Sequence, residues 1–221
     1  MTKKQETEKP SVTLPLMEAI EACAAVLPHA SKDDVTPVIT TANLEGDRIV
    51  ATDRYTVGAF TLSQKASGPI MVPRQALDWI ARTNPRTLVG HFAGMRPEAY
   101  QVRITGLTPG VSGPDLLEEA VMVEILLEGK PERMQQFRPV TGTFPPIAER
   151  LLDVHEMATE VVPVNLGPEF IERVTGYAKK WRRGVPIRFT AGKSDNPNKP
   201  GVVRVSIGKF NGLIQPNLLV R

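Results

Sequence analysis

The side chains that ionise near neutrality, attack electrophiles or ligate metals are few in this chain, and their spacing is poor for chemistry. The histidines His29, His91 and His155 lie about 60 residues apart. Only His155-Glu156 sets a second ligand type beside one, so no metal-binding spacing emerges. The single cysteine, Cys23, cannot bridge internally and sits on an apolar stripe, which reads as a buried core thiol rather than a nucleophile. Gly192-Lys193-Ser194 ends like a phosphate-binding P-loop, but the position that needs the earlier glycine holds Ile187. Asp33-Asp34 and Glu118-Glu119 fall in or beside polar loops, where solvated charge is the ordinary state. No G-x-S-x-G, H-E-x-x-H or G-x-G-x-x-G occurs. The sequence therefore predicts no enzyme, no metal and no cofactor.

Cations are the exception. Residues 161–221 carry 11 Lys/Arg against 3 Asp/Glu, a net of +8, while the preceding 160 residues carry a net of −5. A basic block of this kind suits a polyanion, because each Lys or Arg that neutralises a phosphate releases condensed counterions. Two helical segments space their cations regularly. Arg74 and Arg82, with Asp78 between, recur every four residues, and Arg173, Lys180 and Arg183 fall on one helix face with Lys179 beside it.

The elements that must hold these residues are legible from periodicity. At 221 residues, 41% hydrophobic and 23% charged, the chain is long enough for one large domain or two of about 100 residues. It has no apolar run long enough to span a bilayer. Met1 to Pro10 is polar, without a signal-peptide core, and reads as a frayed tail; the expected compartment is the cytoplasm. Leu16, Ile20, Cys23 and Leu27 mark an amphipathic helix ending at Pro28, with Glu18 and Glu21 as an acidic stripe opposite. Pro37–Leu62 is rich in Val, Ile and Thr and broken at Glu45-Gly46-Asp47, which predicts a hairpin followed by a strand after Asp53-Arg54-Tyr55. Ile70-Met71-Val72 reads as a strand, Pro73 to Asn84 as a helix, and Thr87–Ala93, Tyr100–Leu107 and Val121–Leu127 as strands. A short helix is expected from Ile147 to Val154, a strand at Val161–Leu166, a helix from Pro168 to about Arg183, and strands at Pro186–Thr190, Val202–Ile207 and Gly212–Leu218. A unit of strand, helix and following strands thus recurs at least twice, and the Leu16 helix with its following strands makes a third, approximate copy, pointing to a pseudo-symmetric α+β architecture with sheets outside and helices together on one side.

Several stretches, in order, resemble the bacterial DNA polymerase sliding clamp, including its shorter phage-encoded versions. Thr36-Pro37-Val38-Ile39 through Leu44-Glu45-Gly46-Asp47-Arg48-Ile49-Val50-Ala51-Thr52-Asp53-Arg54-Tyr55 is similar to the family's first hairpin, with its "L-x-A-T-D" strand. Ile70–Ala81 is similar to the strand, proline and helix that follow. Phe144-Pro145-Pro146-Ile147 through Arg150-Leu151-Leu152 resembles the inter-domain "F-P-x-Y-x-R-L-L". Val164–Val174 resembles the "F-N-P-x-Y-L" helix start, and Phe210–Asn217 the terminal "L-x-M-P-x-R" strand.

The resemblance implies the DNA-clamp fold, no catalytic activity, and self-association into a ring whose helices line a channel around duplex DNA. A sliding ring presents cations to phosphates without reading bases; the candidates are Arg74, Arg82, Arg173, Lys179, Lys180 and Arg183. The family also tethers a replicative polymerase and other proteins through short peptides in an apolar pocket, here matched by Pro145, Pro146, Leu151, Leu213, Gln215 and Pro216. A clamp loader is a possible further partner; a membrane is not. A monomeric clamp-like adaptor that never encircles DNA is the alternative.

The chain also departs from the family. Gln215 and Asn217 stand where methionines are usual, and the acidic Glu18/Glu21 stripe is unexpected on a channel-lining helix. The length divides as a tail at 1–11, a clamp-like domain at 12–143 and a smaller one at 144–221. An alternative boundary lies near Gly110, with Pro114–Ala120 as a stunted helix. Four helices per subunit would favour a trimer, three another stoichiometry.

Overall fold

The computed structural model describes residues 8–89, 97–108, 119–147, 166–192 and 201–216. Strand β1 (Ser11–Pro15) leads into helix α1 (Leu16–Val26), followed by β2 (Thr41–Glu45), β3 (Arg48–Thr52) and β4 (Thr56–Thr61). The order then repeats: β5 (Ile70–Pro73), α2 (Arg74–Ala81), the short α3 (Pro85–Val89), β6 (Tyr100–Thr105), β7 (Val121–Leu127) and β8 (Lys130–Phe137). A third, partial repeat supplies α4 (Pro168–Trp181), β9 (Arg188–Ala191), β10 (Val203–Ile207) and β11 (Phe210–Ile214).

Two antiparallel sheets result, one ordered β1-β6-β7-β8 and the other β5-β2-β3-β4-β11-β10-β9. The first two repeats exchange their leading strands: β1 caps β6, and β5 caps β2. The third repeat joins the larger sheet through β11 on β4, with Gly212 opposite Gly58. That close approach excludes a side chain, since a Cβ on Gly212 would lie 2.8 Å from the Val57 carbonyl oxygen and one on Gly58 2.4 Å from the His29 ring.

Alternation decides what each strand buries. The faces turned inward bury Leu44, Ile49, Phe60, Val102, Ile104, Val123, Val205 and Phe210 against the helices. Helix α1 buries seven of its eleven residues, three of them alanines, because it packs on α2, on α4 and on both sheets; small side chains let those elements come close. Cys23 lies in this core as expected, its thiol pushed up to about 12 by burial, so it is no nucleophile. No helix among the described residues is long and apolar enough to cross a membrane.

Several expectations need correction. Ser11 belongs to β1 rather than to a tail, and Val12 and Leu14 are core residues; the strand is too short for its alternation to stand out, and its partner lies about 90 residues away. Pro37–Thr40 is a 3-10 turn rather than strand, because proline pre-sets a helical φ there. Thr87 lies within α3 rather than beginning a strand. Strand β8 was not expected at all: Lys-Pro-Glu-Arg-Met-Gln-Gln is exposed along nearly its whole length, so it carries no apolar period, and its pairing to β7 makes it a strand. The expected helices at Ile147–Val154 and Pro114–Ala120 and the strand at Val161–Leu166 fall almost wholly outside the described residues, as do His91, His155, Lys193 and Ser194.

Candidate nucleic-acid face and partner groove

Helix α4 starts at Gly167-Pro168, where the missing proline N–H costs nothing. It buries Phe170, Val174, Tyr177 and Ala178. Lys179 and Lys180 fall in its last turn, where cations suit the helix dipole. Both are exposed, as is Arg183 just beyond; the Lys180 ammonium lies 5.2 Å from the centre of the Trp181 ring. These three exposed cations thus lie in the last turn of α4 and just beyond it.

The structure separates the other candidates from that patch. Arg173 shares its helix face with Lys180, yet its guanidinium turns onto the Asp53 carboxylate and donates to the Thr56 hydroxyl at 2.9 Å. Its azimuth on the helix is as expected; what lies opposite is the turn between β3 and β4 rather than solvent. Arg74 donates to the carbonyls of Leu27 at 2.8 Å and Ala30 at 2.6 Å. It thereby satisfies the chain end of α1, and burial lowers its pKa. Arg82 is exposed and pairs at 2.8 Å with Asp78, four residues earlier.

The acidic stripe of α1 also needs correction. Glu18 accepts from the Ser63 amide at 3.0 Å and from Lys209 at 2.9 Å. Burial works to raise its carboxyl, and these bonds override it and hold it low. Glu21 accepts from the Tyr177 hydroxyl at 2.8 Å and pairs with Arg182 at 2.5 Å. Burial, with Glu21, pushes the Tyr177 phenol up. The two carboxylates therefore hold the third repeat to the first.

Between these seams lies a polar network around His29, which is fully buried. Its Nδ1 is 3.0 Å from the Thr56 hydroxyl, which donates to Asp53 at 2.9 Å. Every hydrogen-bonding position of Thr56 is used if Nδ1 carries the proton and donates. Burial, with Arg173 nearby, lowers the His29 pKa to about 4, so the ring is neutral near pH 7. Asp53 is held below its ordinary value because the Arg173 and Thr56 bonds override the upward push of burial. The network resembles a catalytic constellation in composition only: each group is occupied by its neighbours, and its ring stacks toward Phe210 at 5.7 Å. Among the described residues no group of His, Cys, Asp and Glu is placed to hold a metal ion.

The candidate pocket residues divide into two neighbouring places. Leu213 is buried on the outward face of the larger sheet with Val50, Val57, Ala59, Phe144 and Ile147. Half-buried Pro145 and exposed Pro146 line a cleft of about 480 Å³ above that cluster, beside Asn43 and the β2–β3 turn. Gln215 instead donates its amide to the Tyr55 carbonyl at 2.9 Å, and Pro216 is buried beside it. Leu151 lies outside the described residues.

Sequence reasoning missed Asp53-Arg54-Tyr55 as part of this site. Asp53 accepts from the amides of Tyr55 at 3.1 Å and Thr56 at 2.8 Å, a turn that sets Arg54 at φ 77° and leaves Tyr55 63% exposed. The turn borders a second cleft of about 410 Å³, with Lys32, Arg54 and Arg173 on its walls. The signal for it was present: an Asp three residues before a Thr is a side-chain-capped turn.

No family model and no curated protein matches this chain. Solved structures do. The DNA polymerase III subunit β of Pseudomonas aeruginosa superposes with a TM-score of 0.59 at 13% identity, over 98% of this chain and 69% of the other. That of Borrelia burgdorferi, solved with a natural product bound, gives 0.57 at 10% identity, over 99% and 67%. The β subunit from the DNA polymerase of Streptococcus pyogenes gives 0.50 at 12% identity, over 99% and 68%. Almost the whole chain thus lies along about two thirds of each subunit, and its fold is the DNA-clamp fold of the bacterial DNA polymerase III β subunits.

Proposed function

We propose that this protein is a DNA sliding clamp, a non-enzymatic processivity factor that closes into a ring around duplex DNA and tethers a replicative polymerase. The observation that carries the reading is the superposition on three DNA polymerase III β subunits along 98–99% of the chain. The exposed cations Lys179, Lys180 and Arg183 support it, because a sliding ring needs phosphate contacts without base contacts; Arg82 is a secondary candidate. In this reading Arg173 and Arg74 shape the helices that carry the face rather than touch DNA.

The partner site in this reading draws on the Pro145–Pro146 cleft with Leu213 nearby and on Gln215, Pro216 and Tyr55; Leu151, also implied by the resemblance, lies outside the described residues. A short peptide anchored by one or two apolar side chains fits such a site. Gln215 and the polar turn at Asp53 favour a peptide that also offers hydrogen-bonding groups. The proposed division is a domain at 12–143, extended to Ser11 by β1, and a smaller one at 144–221; the four-stranded sheet belongs to the first and the seven-stranded sheet draws on both. The expected setting is the cytoplasm of a bacterium or of an infected one, with a clamp loader as a further partner.

The test is retention on nicked circular DNA compared with the same DNA linearised, alongside the solution mass by light scattering. A ring stays on the circle, slides off the free end and has a discrete oligomeric mass. Equal retention on both, or a monomer at every concentration, refutes ring closure and favours the adaptor.

A further inference from the structure

A further cleft, of about 600 Å³, opens on the outward side of the larger sheet, at its joint with the smaller one. Strand alternation builds its floor. Ala42, Leu44, Ile70 and Val72 turn to the core, so Asn43 and Glu45 of β2 and Met71 of β5 turn outward, with Asn43 directly opposite Met71. One wall is the joint itself, where the Gly106 amide donates to the Pro10 carbonyl at 2.8 Å and the Ser67 amide to the Ser11 carbonyl at 2.9 Å. Another is the segment from Val140 to Phe144. Gly142 in that segment has φ 124° and passes so close to the 3-10 turn that a Cβ on it would lie 2.5 Å from the Val38 side chain. Phe144 is buried in the outer apolar cluster. A wall pinned at both residues leaves a preformed cleft, and a ligand entering it has little to order.

The chemistry of the cleft is asymmetric. Pro10, Pro69, Met71, Leu107 and Val140 give it apolar surface. The charged side chains among its described lining residues are Glu8 and Glu45, both exposed, and none of those residues is a lysine, arginine or histidine. The adjacent cations are directed elsewhere. Lys9 pairs with Glu119 at 2.6 Å, and Arg48, opposite Glu45 across the hairpin, lines the Pro145–Pro146 cleft instead. An apolar hollow whose fixed charges are both negative complements a ligand that is apolar and cationic. The two clefts share Asn43, Glu45 and Phe144, so an extended chain can run from one into the other, whereas a compact molecule fills only one.

We propose that this cleft is a docking site for an extended peptide segment of a protein partner, carrying an apolar side chain next to Lys or Arg. The site requires neither ring closure nor DNA, so it stands or falls separately from the clamp reading.

The probe is a fluorescein-labelled peptide, Gly-Leu-Phe-Arg-Lys-Gly, titrated with the full chain and read by anisotropy; its counterpart carries Glu in place of both cations. Saturable binding of the first and not of the second is expected. Glu8→Gln with Glu45→Gln is expected to weaken binding about fivefold. Glu128→Gln with Glu132→Gln, the same change in net charge on the exposed β7–β8 hairpin, is expected to leave it unchanged. All four are surface changes that the fold tolerates. Methionine methyl NMR locates the probe: Met71 lines the cleft and shifts, while the exposed Met134 of β8 does not. No saturable binding, equal weakening by the two pairs of substitutions, or an unmoved Met71 overturns the proposal. Phenethylammonium binding as tightly as the peptide overturns the peptide assignment in favour of a small amine.

Discussion

The arginines and lysines of α4 divide into two classes that a salt titration separates. Lys179, Lys180 and Arg183 are exposed at the helix end, whereas Arg173 has 27% of its side chain exposed and is spent on Asp53 and Thr56. Changing the three exposed cations to alanine removes up to three phosphate contacts. Each contributes about 0.9 to the slope of log K against log salt, so the slope falls by about 2.7. Between 50 and 200 mM salt the parent then loses about 40-fold more affinity than the variant. The fold is unaffected, because surface changes of this kind stay within about 0.5 kcal/mol. Arg173→Ala behaves oppositely. It leaves a half-buried carboxylate without its cation, which costs about 2–3 kcal/mol and lowers Tm by about 5–10 °C, with the slope unchanged. The assay is DNA binding by anisotropy at five salt concentrations, paired with thermal melts. A flattened slope and an unchanged melt for Arg173→Ala would refute the assignment, since the guanidinium would then face DNA rather than Asp53.

Three further outcomes follow from the same geometry. His29 has a folded pKa of about 4 against an ordinary 6.5, so the unfolded chain binds its proton first. Its contribution is complete above about pH 6.5 and is lost as pH falls toward 4, by up to about 3 kcal/mol; urea titrations from pH 7.5 to 4.5 are expected to show that loss, and His29→Gln to flatten it. Gly212→Ala forces a Cβ within 2.8 Å of the Val57 carbonyl oxygen and is expected to cost about 2 kcal/mol or more, read as a lower urea midpoint; an unchanged midpoint would mean β11 does not lie this close to β4. Tyr55→Ala removes the exposed ring of the residue whose backbone carbonyl holds the Gln215 amide and is expected to weaken a clamp-binding peptide by about tenfold while leaving both the melt and the DNA salt slope unchanged; isothermal calorimetry and the two assays above measure it.

Helices α1, α2 and α4 were legible because their apolar residues recur with period 3.6 over eight or more residues, as Leu16, Ile20 and Cys23 show, whereas the five-residue α3 is too short to display a period. Most strands were legible from Val, Ile and Thr alternation. The failures share a cause. Strands β1 and β8 owe their state to partners, Ser11 to Thr105 and Val121 to Phe137, and no local period reports a partner. The recurrence of a helix followed by strands was readable from the sequence; the exchange of leading strands between the first two repeats was not, because it is a property of pairing. For the site, Pro145, Pro146, Leu151 and Leu213 come from the resemblance; Leu213 lies in an apolar cluster with Phe144 and Ile147, the two prolines line a cleft shared with that pair, and Leu151 lies outside the described residues. The Asp53–Tyr55 turn escaped because its role follows from the Gln215 backbone bond, a contact between residues 160 positions apart.

The uneven charge of the chain is the feature whose meaning changes most once the fold is known. A C-terminal block of net +8 following 160 residues of net −5 suggests a basic face looking for a polyanion. The structure shows that part of this asymmetry is answered within the molecule. Arg173 pairs with Asp53, Arg182 with Glu21 and Lys209 with Glu18, three cations of the third repeat on three carboxylates of the first. Opposite charge therefore docks the third repeat onto the first, beside the apolar seam of Phe210 and Tyr177. Among the described residues the cations not spent in that seam include Lys179, Lys180 and Arg183, which share one end of one helix. Counting charge along a sequence overstates the external field by whatever the fold neutralises at home, and only the remainder is available to a polyanion. A variant exchanging Glu21 and Arg182 keeps the net charge and restores the pair in reverse, so it should melt within about 1 kcal/mol of the parent. Glu21→Ala alone leaves Arg182 without its carboxylate and should fall further. If the single change and the exchange were equally damaging, the docking would rest on packing at Tyr177 and Phe210 rather than on charge.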